Sequence, residues 1–174
     1  MIIIKKEIRL IAVSAIFSAL IVALLFFGTF IELFDITVAA ICTFAVYIIL
    51  LEAKKKYAFL VYLTSGILSL IFVPLSSATL YFVGFFGYYP LIKFLMRKMP
   101  KLLRKIICIL IFNTTMAGLM LLFKAVFALA EEPATIYILL FLTLNVVFFC
   151  IDYLLDIFPI IYIKKLRNKI KFMF

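Results

Sequence analysis

The stretch LIAVSAIFSALIVALLFFGTF, Leu10 to Phe30, runs for 21 residues without a charge. A helix rises about 1.5 Å per residue and the hydrocarbon core of a bilayer is about 30 Å thick, so a run of this length spans it. Within it, Ala15, Ala19 and Ala23 recur at a spacing of four, among Ile, Phe, Leu and Val. Helical residues four apart stack on one face. The helix therefore has one small-residue stripe and is bulky elsewhere, although lipid is satisfied by large side chains all round. A partner for the stripe has to be sought.

The same pattern extends along the chain. Of its 174 residues, 69% are hydrophobic and 15% charged, and the mean hydropathy is +1.35. A soluble domain is about half apolar, so this excess exceeds what one small core can hide. Runs between charge and turn signals predict six spans: Leu10–Phe30, Ile36–Leu51, Tyr57–Val73, Ala78–Met96, Ile106–Ala130 and Thr135–Tyr162. The expected fold is an all-α, six-helix membrane bundle, with residues 1–174 forming a single transmembrane domain. Proline is tolerated near helix ends, where a missing N–H costs nothing. Pro90 is the exception, because with Gly84 and Gly87 it sits inside the fourth run and predicts a kink there.

Seventeen of the 18 basic residues fall on one side of this alternating path. They precede the first span (Lys5, Lys6, Arg9), join the second to the third (Lys54, Lys55, Lys56) and follow the sixth (Lys164, Lys165, Arg167, Lys169, Lys171). The largest group, Lys93, Arg97, Lys98, Lys101, Arg104 and Lys105, flanks the connection from the fourth span to the fifth. Lys and Arg collect on the cytoplasmic side, which places both termini inside a plasma membrane. The net charge of +10 is thereby a topology signal and a contact with anionic headgroups in the lipid bilayer, not a footprint for nucleic acid.

Enzyme motifs are missing. The sequence has no histidine, GxSxG, glycine-rich phosphate loop or CxxC. Glu131-Glu132 is similar to the acidic pair of intramembrane CAAX-type proteases, but the arginine and histidines those need are not present. Neither catalysis, a metal nor a cofactor is expected. Cys42, Cys108 and Cys150 stand singly in apolar runs and read as buried small hydrophobes.

Polar residues at membrane depth pack helices together or meet a ligand. Lys124, the eighteenth basic residue, lies about two turns inside Glu131. It either snorkels to Glu131 or Glu132, or lines an outward cavity. Asn113, Thr114 and Thr115 in the fifth span and Asn145 in the sixth either bond across helices or form the floor of that cavity. Phe30, Glu32, Phe34 and Tyr81 gather at its outer side, as an aromatic belt or as a clamp for a planar ligand. Asp152 and Asp156 in the sixth span favour a structural ion pair with Lys93 in the fourth.

With its size, six spans, basic cytoplasmic face and Ala15-x-x-x-Ala19-x-x-x-Ala23 in the first helix, the chain resembles the substrate-binding S components of energy-coupling factor vitamin transporters. The resemblance implies that the stripe docks on a transmembrane T component joined to two ATPase subunits. It implies also an outward pocket, capped by the first outer loop, for a small water-soluble micronutrient. A second reading comes from another class: a non-catalytic scaffold similar to MreD of the cell-shape machinery, with no ligand cavity.

Overall fold

A computed structural model describes residues 2–30, 34–74, 76–127 and 134–166. Helices account for nearly all of them, and six are long and apolar enough to cross a membrane. They are α1 (Ile2–Gly28), α2 (Asp35–Glu52), α3 (Lys55–Phe72), a broken fourth span, α6 (Lys101–Phe127) and α7 (Ala134–Ile161). The fourth span comprises α4 (Ser77–Tyr81), a π-helical turn at Phe82–Phe86 and α5 (Tyr89–Leu95).

Two helices begin earlier than their apolar runs. α1 starts at Ile2 rather than Leu10, and α6 at Lys101 rather than Ile106. Lys, Arg and Glu are good helix formers, so a helix continues through charges that the bilayer would reject.

α2 is the hub. It packs on α1, α3, all three parts of the fourth span, and α7. Its buried positions are mostly small, including Ala39, Ala40, Cys42, Thr43 and Ala45, which lets neighbouring backbones come close from several sides. By contrast α6 buries only Cys108, Phe112 and Met116 among its described side chains, a single narrow stripe at a spacing of four. α7 buries Leu144, Phe148, Ile151, Asp152 and Leu155, again one seam. Cys150 lies off that seam and is exposed, so the expectation of burial fails for it while holding for Cys42 and Cys108.

The fourth span breaks where Pro90 predicts. Proline has no N–H and its ring collides with the carbonyl four residues back, here that of Phe86. The freed Phe86 carbonyl accepts a hydrogen bond from Thr43 Oγ1 of α2 at 3.0 Å. One turn earlier, Gly87 donates to the Phe82 carbonyl, five residues back, at 2.7 Å. That π-type bond leaves the Val83 carbonyl without its usual donor, and the Tyr62 hydroxyl of α3 donates to it at 3.0 Å. In a bilayer an orphan carbonyl costs several kcal/mol. Two hydroxyls from neighbouring helices therefore make the break tolerable.

Phe85, exposed by the π-turn to the bundle interior, anchors spans five and six. Its ring stacks on Tyr89 at 4.8 Å and meets Phe112 edge-on at 4.9 Å, while Phe112 stacks on Phe148 at 4.5 Å.

Candidate functional site

α1 carries two small-residue faces. Its inward face runs Leu10, Val13, Ser14, Ser18, Ile21, Leu25 and Gly28, all buried. Ser14 and Ser18 satisfy themselves by donating to the carbonyls of Leu10 and Ser14, at 2.7 and 3.0 Å. Ser18 also shares a 2.8 Å hydrogen bond with Thr64 of α3. These serines, rather than the alanines, make the close seam between α1 and α3. The signal for them was in the sequence, as Ser14-x-x-x-Ser18, with Thr64 of α3 opposite Ser18.

The alanines lie just beside that seam. Ala15, Ala19 and Ala23 are all exposed. Ala15 and Ala19 line a groove of about 340 Å³ with Tyr57, Leu60, Val61 and Thr64 opposite. It continues past Ala19 and Ala23, between Phe26, Phe27 and Phe72, through a further 400 Å³. Both sections share Ala19 and Leu68, so the trough runs along the length of the two parallel helices. Its lining is almost wholly apolar. Such a lining suits an apolar occupant better than a polar solute.

The expected ligand residues are not gathered into one place. Phe30 and Phe34 are exposed at the end opposite the basic residues. Tyr81 is buried in the core instead of standing open as a platform. Asn113 and Asn145 donate to carbonyls four residues back in their own helices, at 3.1 and 2.9 Å. These bonds are intrahelical, not the interhelical ones that the sequence favoured. A helix offers its own carbonyl at that distance without needing a neighbour. Asn113 Oδ1 is nonetheless buried with no partner among the described residues, and Thr114 is exposed. The space between α6 and α7 next to Asn113 is taken up by the Phe112–Phe148 stack. Glu32, Glu131 and Glu132 lie outside the described residues, as does the side chain of Lys124.

A charged cluster closes the basic end. Lys93 and Asp152 are 6% and 9% exposed. The Lys93 ammonium donates to the carboxylate and to the backbone carbonyl of Asp152 and lies 3.0 Å from Asp156. The expected ion pair between spans four and six is formed. The Tyr89 hydroxyl, which the sequence did not single out, donates to the same Asp152 oxygen. Arg104 of α6 reaches Asp156 at 3.5 Å. Three spans are tied by five polar side chains. Among the described residues no group of His, Cys, Asp or Glu is placed to hold a metal.

The fold thus defines a class, a six-helix membrane bundle with a long apolar trough on one side. The chain matches no family model, no curated protein sequence and no solved structure.

Proposed function

We propose that the chain is the substrate-binding S component of an energy-coupling factor type importer, with both termini in the cytoplasm. One observation carries the reading: the Ala15, Ala19 and Ala23 face stays open along the trough between α1 and α3. Within the fold, α1 has already met its neighbour through serines, so the alanines serve no internal contact that needs their size. In this reading a transmembrane coupling subunit lays its helices in the trough. Its two ATPase subunits supply the energy, since this chain has no nucleotide motif.

The ligand is a small water-soluble micronutrient that enters at the end opposite the basic residues, where Phe30 and Phe34 are exposed. Glu32 and Lys124 belong to the same end by sequence, and Lys124 is assigned the orientation of an anionic group on the ligand. The chain binds and presents its cargo without chemistry.

The test is co-expression with a coupling subunit and its ATPase pair, followed by co-purification. Ala15→Leu, Ala19→Leu and Ala23→Leu should each lose the complex while inserting and melting like the parent. If all three co-purify undiminished, the trough is not a docking face.

A further inference from the structure

A second concavity, of about 260 Å³, opens at the basic end of the bundle between spans two, four, five and six. Its walls differ in kind from those of the trough. Leu51, Phe94 and Leu155 make an apolar side, and Lys93, Arg97, Arg104 and Asp156 bring charge to it.

The charges do not cancel. Lys93 donates to the Asp152 carboxylate and carbonyl and forms an ion pair with Asp156 at 3.0 Å. Arg104 touches Asp156 through one nitrogen, at 3.5 Å, and keeps the rest of its five-donor fork. Arg97 is exposed and forms no ion pair with the described carboxylates. Among the described residues of this cluster, Lys93, Arg97 and Arg104 stand with Asp152 and Asp156, three cations against two carboxylates. Both arginines are free to offer planar forks of the kind that match phosphate oxygens in pairs.

We propose that this cavity binds a phosphate group, held by Arg97 and Arg104 against the apolar wall. Two carriers share that chemistry, the headgroup of an anionic phospholipid and a free phosphate ester. The apolar wall favours the lipid, because it continues past Pro159 to Ile160, which is 56% exposed on the outside of α7. Basic pockets between transmembrane helices at headgroup level hold anionic lipids in this way. The inference does not depend on the transport reading, since it uses neither the trough nor the opposite end.

The full-length chain is to be purified in nanodiscs of phosphatidylcholine with increasing phosphatidylglycerol, and its retained lipid read by native mass spectrometry. A parallel arm offers glycerol 1-phosphate to the protein in a neutral detergent. The parent should retain phosphatidylglycerol in preference to phosphatidylcholine. Arg97→Gln should lower that retention about five-fold, and Lys98→Gln, an exposed neighbour that does not line the cavity, should stay within about two-fold of the parent. Arg97 has no ion-pair partner among the described residues to lose, and an unchanged melting temperature verifies that its variant is folded. Binding of glycerol 1-phosphate with the same dependence on Arg97 assigns the site to a free ester, and lipid retention without it assigns the site to the lipid. Equal losses in the two variants, or no preference for either phosphate carrier, would overturn the proposal.

Discussion

Replacing Lys93 by Met removes the ammonium and keeps a stem of similar length, so it isolates the charge. Lys93 holds two carboxylates whose situations differ. The Asp156 side chain is 41% exposed and retains Arg104 when Lys93 is lost. Asp152 is 9% exposed and retains only the Tyr89 hydroxyl. The uncompensated charge is therefore that of Asp152. Removing one member of a buried pair costs ~3–5 kcal/mol, whereas removing both charges is often close to neutral. For a chain of this size each kcal/mol moves the midpoint by ~2–4 °C, so Lys93→Met should melt on the order of 10 °C lower. The double variant Lys93→Met/Asp152→Asn should recover most of that loss, because an asparagine oxygen still accepts from Tyr89 and carries no charge. Thermal unfolding of the three proteins in one mild detergent, followed by helicity, gives the comparison. A single variant that melts with the parent, or a double variant as unstable as the single, would refute the view that these charges depend on each other.

The break in the fourth span supplies two more tests. Thr43→Val keeps the shape and deletes the hydroxyl that satisfies the Phe86 carbonyl, so it should cost ~1–3 kcal/mol in a detergent unfolding titration. Thr43→Ser, which keeps a donor, should cost distinctly less. Gly87→Ala should cost ~1–3 kcal/mol by overpacking. A Cβ at residue 87 would stand 2.5 Å from the Tyr62 ring and 2.9 Å from the Phe82 carbonyl. An unchanged midpoint for either Thr43→Val or Gly87→Ala would show that the π-turn is held by something other than these contacts.

The sequence is most legible where chemistry is local. Long, predominantly apolar runs located all six spans, because a bilayer admits little else for about 20 residues. Pro90 located the break, because its effect on the Phe86 carbonyl is covalent in origin. Complementary charge at similar depth located the Lys93–Asp152 pair. What could not be read is which face of a helix meets which neighbour. Every face of these helices is apolar, so the contrast that orients an amphipathic helix in water is lost. Tyr81 illustrates the consequence. Its place in the sequence fits an aromatic at the membrane interface, and it is buried in the bundle. Asn113 and Asn145 show a second limit, since a composition of polar residues does not reveal that each bonds within its own turn.

The first helix shows how far the small-residue argument can be taken. Small residues at a spacing of four mark a close approach between helices, and α1 carries two such registers, Ser14 with Ser18 and Ala15 with Ala19 and Ala23. One register is used inside the fold and the other is not. A serine left facing lipid would cost more than an alanine, so the serines belong on the inner seam, where Thr64 receives one of them. Alanine facing lipid is tolerated but gains nothing. A leucine at each of these depths would add roughly 0.5 kcal/mol to insertion. Three successive positions decline that gain, and the trough they border is too apolar for a polar solute. The proposed docking of a helix from another subunit would make use of both the missing bulk and the length of the trough. That is why the alanine-to-leucine series, rather than any ligand titration, is the first experiment this bundle calls for.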